Sequence, residues 1–177
     1  MERYISIIII SLLLTTACSK NDDPDKSGTV AINNELTFDQ QRQTFISYGF
    51  SFSKAKLVSI FETPPPDITV DNDGTLDNLI LQTGNYKNSF YKAGEYSDAA
   101  TARQEFDKLT SPVVSDWEIW AFGIKANQIW IFRTSAEKYA KIRIISTLSE
   151  ARVSQDYAEC TFEWVYQPDG SLTFPGK

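Results

Sequence analysis

Histidine is absent from all 177 residues, and the only methionine is Met1. Without histidine there is no Ser-His-Asp or Cys-His system for nucleophilic catalysis. Cysteine is nearly as scarce, with Cys18 and Cys160 alone, so the Cys/His clusters of structural zinc sites are excluded. Positive charge is in deficit: 17 Lys and Arg stand against 23 Asp and Glu, a net charge of −6. That balance, with no basic stripe, argues against a nucleic-acid partner. No glycine-rich phosphate loop is present. No local spacing of carboxylates suggests the paired acids of a glycosidase-type centre. The expectation is a protein that is not an enzyme.

What is present is a globular composition, 42% apolar, rich in Phe (11), Tyr (8) and Trp (4). Aromatics in that number favour strands over helices. The length suits one domain once a leader is removed. Residues 1–17 read as that leader. Arg3 supplies a modest positive start, and Ile5 to Leu14 forms an apolar core of secretory-signal length. This run is shorter than the roughly 20 residues a membrane-spanning helix needs. The leader ends Leu14-Thr15-Thr16-Ala17-Cys18, which resembles a lipobox with Thr15 where leucine is commoner. Cys18 is the expected lipid attachment site, the alternative being an ordinary secretory signal with a chance cysteine. Residues 18–28 are acidic, polar and broken by Pro24, an expected flexible tether. Its opening Cys-Ser-Lys-Asn-Asp-Asp also resembles a sorting signal for the outer leaflet of the outer membrane. A merely solvated linker is the competing reading.

Residues 29–177 are expected to form a single all-β domain, rich in antiparallel pairs and with long loops. Its centre is the stretch Gln128 to Phe174, where four strands are predicted. Ile129 to Arg133 is a β-branched and aromatic run. In Tyr139 to Ser146, Ala140, Ile142 and Ile144 alternate with Lys141 and Arg143, the pattern of a half-buried strand. Cys160, Phe162, Trp164 and Tyr166 share one face of a third strand, opposite Glu159, Thr161 and Glu163. Cross-strand pairing of Lys141 and Arg143 with Glu159 and Glu163 is expected to add a few tenths of a kcal/mol per pair. Gln167-Pro168-Asp169-Gly170 signals a type I turn, and Leu172 and Phe174 return on a last strand. Cys160 reads as a buried small hydrophobe.

Upstream, Val30 and Ile32 mark a first strand, and Tyr48 to Ser53 a second in which Phe50 and Phe52 are core residues. Three prolines, Pro64 to Pro66, predict a rigid loop. Asp71-Asn72-Asp73-Gly74 invites a calcium reading. With Gly74 at the sixth position of an EF-hand loop, Thr69 and Ile80 fall where carboxylates are needed, so a plain Asp73-Gly74 turn is the better account. Leu79 to Tyr96 is expected to carry a strand into an exposed, partly ordered loop that contains glycine. Asp98 predicts the cap of a short helix over residues 99–109, ended ahead of Pro112. Ser115 to Ile124 reads as a core strand with Trp117 and Trp120 on opposite faces. As a competing reading, the two tryptophans are the candidate ligand-binding residues, forming a wall against a flat ligand.

Three pieces carry a family resemblance: the Arg133-Thr134 step, the strand Lys138-Tyr139-Ala140-Lys141-Ile142-Arg143-Ile144-Ile145-Ser146, and Thr161-Phe162-Glu163-Trp164-Val165-Tyr166-Gln167-Pro168-Asp169-Gly170-Ser171. They resemble the C-terminal part of HmuY-type proteins, surface lipoproteins of haem-uptake systems. Where that family has a Trp-Asp-Ile-Ala-Phe-like strand, this chain has Pro66-Asp67-Ile68-Thr69-Val70. The resemblance implies a membrane-anchored protein exposed on the outer membrane. It also implies haem or protoporphyrin as ligand and an outer-membrane haem receptor as partner. The family's histidine or methionine axial ligands have no matching positions here. Two expectations follow: a tetrapyrrole-binding lipoprotein without such ligands, or a surface module on the same scaffold that binds a protein or a glycan.

Overall fold

A computed structural model of the chain describes residues 25–85 and 87–176. The leader and Cys18 lie outside the described residues, as does the tether up to residue 24. The described residues are mostly β, with antiparallel sheets and one helix. The strands are β1 (Ser27–Asn33), β2 (Thr37–Asp39), β3 (Thr44–Ile46), β4 (Tyr48–Ser51), β5 (Lys56–Ser59), β6 (Thr69–Asn72), β7 (Leu79–Gln82), β8 (Phe90–Glu95), β9 (Ala121–Phe122), β10 (Gln128–Arg133), β11 (Tyr139–Glu150) and β12 (Tyr157–Gln167). The helix, α1, is Ala99–Lys108. The main sheet has the order β1-β12-β11-β10-β8. A small sheet has the order β6-β7-β9, and β2-β3 and β4-β5 are hairpins.

The alternation in the C-terminal stretch places the core. Ala140, Ile142 and Ile144 of β11 join Cys160, Phe162, Trp164 and Tyr166 of β12 on one face of the main sheet. Phe50, Phe52, Ile68, Val70 and Leu81 come from the hairpin and the small sheet to cover that face. The close approach depends on Gly49, because a Cβ there would sit 2.4 Å from the Ile68 carbonyl oxygen. The expected first strand is present but starts earlier: Ser27 and Gly28 already pair with Val165 and Trp164. The tether therefore ends two residues sooner than its composition suggests, since strand pairing overrides a polar sequence.

The largest correction concerns the second face of the main sheet. The Lys/Arg alternation predicts a solvated face, yet Lys141 is 1% and Arg143 8% exposed. The cause is α1, which folds across β10 and β11. Asp98 caps it as expected, its carboxylate accepting from the Thr101 N–H at 2.8 Å. Beneath the helix Phe106, Ile129, Ile131, Val165 and Phe174 form a second apolar cluster. Lys141 lies opposite Val165 instead of a glutamate. Its Nζ donates to the Phe106 and Leu109 carbonyls at 2.7 and 3.0 Å, satisfying the helix C-terminus. Arg143 does face Glu163, with Nη2 to Oε2 at 2.9 Å, and Arg103 of α1 reaches the same oxygen at 3.2 Å. Glu159 stands opposite Leu148.

Three further expectations are corrected. Leu172 and Phe174 form no strand. The Phe174 N–H donates to the Thr110 carbonyl and the ring closes the helix-side cluster. Leu79 to Tyr96 opens on β7, and the loop expected after it gives way to a further strand, β8, because its backbone groups find partners in β10. Ser115 to Ile124 is strand only at Ala121–Phe122. Glu118 bonds the backbone of Ser89 and Phe90 beside the main sheet, whereas Ala121 and Phe122 pair with β7. A segment that crosses between two sheets bends and cannot be one strand. Asp73-Gly74 is the expected turn: Gly74 has φ +96°, and the Asp73 carboxylate accepts from Thr75 and Asn78.

Candidate functional site

Three open grooves adjoin one another where the hairpins and the small sheet meet the main sheet. The central groove is about 430 Å³, within the roughly 300–1,000 Å³ of ordinary small-molecule sites. Tyr48, at the start of β4, and Trp120, in the crossing segment, both line it. Leu36 and Ile60 add further apolar lining. All four are more than a third exposed, Tyr48 by 39% and Trp120 by 36%. The polar lining is made of amides, hydroxyls and one carboxylate, Asp71. None of the described lining residues is lysine or arginine. Asn34 fastens this rim: its Nδ2 donates to Asp71 Oδ1 at 3.1 Å and to the Asp156 carbonyl at 2.9 Å, and its Oδ1 accepts from the Ala158 N–H.

Of the two tryptophans nominated from sequence, one stands at this groove. Trp120 lines it with its indole edge-on to Phe122, ring centroids 5.5 Å apart. Trp117 lines none of the three grooves. It stacks on Tyr139 at 6.1 Å under the Arg133 guanidinium at 4.7 Å, a cation–π arrangement that packs it against the helix-side cluster. Tyr48 was hidden in the sequence because it has the same parity as Phe50 and Phe52. The one signal it carried was its hydroxyl, a polar tip at a position otherwise filled by phenylalanine.

Each tyrosine at a groove has a distinct environment. Tyr157 borders the third groove and donates its hydroxyl to Glu159 at 2.6 Å. Burial, reinforced by that carboxylate, pushes its phenol up to about 12. Tyr166 borders a side groove and is also raised, first by burial and then by Asp67. Neither phenol favours becoming a tyrosinate at neutral pH. Cys160 is fully buried in the core and its thiol is raised by burial, so it reaches no groove.

The side groove, about 450 Å³, shares Pro65, Pro66, Thr83 and Gly84 with the central one. Asp67 lies on its wall, with Oδ2 accepting from the Phe52 N–H at 2.8 Å. Burial pushes this carboxyl up to about 6, against the opposing effects of that N–H, the Ser51 hydroxyl and the more distant Lys54. A carboxyl kept where its ionisation is penalised, in a groove, marks a position of functional interest. Among the described residues no group of three or more His, Cys, Asp or Glu is placed to hold a metal ion. In comparisons with known proteins, no family model matches this chain and no curated protein does.

Proposed function

We propose that the chain is a non-catalytic binding lipoprotein of the HmuY type, holding haem or a related tetrapyrrole at the outer surface of the cell. The observation that carries the ligand reading is the pairing of Tyr48 and Trp120, two exposed aromatics from distant parts of the chain, on one groove. Flat apolar ligands gain from stacking on such rings. With no histidine, and no methionine beyond Met1, iron coordination falls to oxygen donors, and in the central groove the Tyr48 phenol, rather than the Asp71 carboxylate, is the type of group that serves as a haem ligand. Propionates stay in solvent, because the groove offers them Asp71 and no cation. The complex is therefore weak and depends little on iron. A haem receptor in the outer membrane is the partner such a protein would serve.

The test is a paired titration of tag-free protein with haemin and protoporphyrin IX. Comparable affinities are expected, with both weakened at least tenfold by Trp120→Ala. A strong preference for haemin with a tyrosinate-like spectrum replaces stacking by Tyr48 ligation. If neither binds at micromolar concentration, the tetrapyrrole reading falls. A protein-binding module then stands in its place, favoured by the exposed Phe38–Phe45 pair of the β2-β3 hairpin, ring centroids 5.2 Å apart.

Anchoring is proposed at Cys18, where acyl chains would contribute about 0.8 kcal/mol per buried CH₂. Among the described residues no helix is long and apolar enough to cross a membrane. Replacement of Cys18 by alanine should abolish labelling with a clickable fatty acid and release the protein from the membrane fraction. Labelling that persists in the variant refutes the site.

A further inference from the structure

We propose that the side groove beside Asp67 is a second binding site, adjoining the tetrapyrrole groove across a shared wall, and that it takes a neutral saccharide unit. The groove brings together functional groups from four distant parts of the chain: Ser51 and Ser53, Asp67, Asn85 and Thr134. The two serine hydroxyls lie 3.3 Å apart. Asp67 is anchored through one oxygen to the Phe52 N–H, which fixes the direction of the carboxyl without neutralising it. No Lys or Arg among the described residues forms an ion pair with it, and the nearby Lys54 is engaged with Glu62 at 2.7 Å. Exposed Pro64 and Pro65 add a rigid apolar wall.

Charge selects the ligand. An anion would meet the Asp67 carboxylate, and a cation drawn to that carboxylate would be opposed by Lys87, which also lines the groove and pairs with Glu137 at 3.6 Å. An apolar ligand would strip water from Asp67 and return no hydrogen bond, a loss of the kind that buried carboxylates do not tolerate. A neutral polyol meets none of these penalties. Its hydroxyls donate to the carboxylate in charge-assisted bonds and accept from the serines and the amide, while its C–H face lies on the prolines. A pyranose ring supplies both faces at once.

The probes are cellobiose, maltose, lactose and chitobiose, offered to the full chain in a sugar-free detergent and read by saturation-transfer NMR. Transfer to at least one is expected. Asp67→Asn should weaken that sugar at least tenfold, because the side-chain carbonyl still accepts from the Phe52 N–H but the charge is gone. Trp120→Ala, which should weaken the tetrapyrroles, leaves the sugar unchanged. Failure of the tetrapyrrole titration alone does not touch this site. Transfer to none of the four sugars, or equal binding by Asp67→Asn, overturns the proposal. So does Asp67-dependent binding of putrescine in their place, which makes the groove a cation site.

Discussion

Phe52→Ala should remove about 3–5 kcal/mol of folding free energy, the range for truncating a fully buried aromatic. Phe52 is 0% exposed. Its ring meets Phe50 at 5.2 Å, Phe132 at 5.5 Å, Trp164 at 5.9 Å and Tyr166 at 6.1 Å. These partners come from three strands, β4, β10 and β12, so no single neighbour can move in to fill the space. A small domain holds only about 5–15 kcal/mol in total, so the variant should unfold at much lower urea. Phe45→Ala makes the control. Phe45 is 60% exposed, and its truncation should stay within about 0.5 kcal/mol. Urea unfolding followed by tryptophan fluorescence measures both. A loss below 1 kcal/mol at Phe52 would mean that the two layers are not packed through this ring.

Asp67→Asn should stabilise the protein at pH 8 and do little at pH 4. Burial pushes the carboxyl of Asp67 in the folded chain up to about 6, well above the ordinary aspartate range. A raised folded value means that the folded state holds the proton more tightly than the unfolded state. The group's favourable contribution is therefore complete below about pH 4, fades as pH rises, and is gone above about 6. The span corresponds to about 3 kcal/mol at most. Other carboxylates work in the opposite sense. Asp39 and Glu62, for instance, are lowered mainly by their bonds to Arg42 and Lys54, and they lose stability as pH falls. The difference between wild type and variant isolates Asp67 from them. Urea midpoints that differ by the same amount at pH 4 and pH 8 would disprove the linkage. The asparagine keeps the bond from the Phe52 N–H, so the variant tests charge and not the loss of an anchor.

Both expectations rest on layers that local sequence does not reveal in equal measure. The core face of β11 and β12 was legible, because period-2 alternation is a property of one strand and survives whatever packs on it. The opposite face was not. Lys141 and Arg143 look solvated until α1 lies across them, and α1 begins some forty residues earlier in the chain. In the same way Leu172 and Phe174 alternate like a strand, but no partner edge is offered to them, and Thr110 and the helix-side cluster take them instead.

The sequence by itself determined the mostly β character of the domain, the capped helix at Asp98 and the Asp73-Gly74 turn. Each follows from composition or from residues within one turn or strand of each other. Tertiary structure alone decided which aromatics stay accessible. Trp117 and Trp120 are three residues apart, yet one is packed beneath Arg133 and the other opens on a groove with Tyr48. Asp67 reads as one acid in a proline-rich loop. Its carboxyl is desolvated only once the chain is folded, where it accepts from the Phe52 N–H. Grooves and buried charges arise where distant segments meet, and the energies that set them depend on water being excluded by residues far away in the chain.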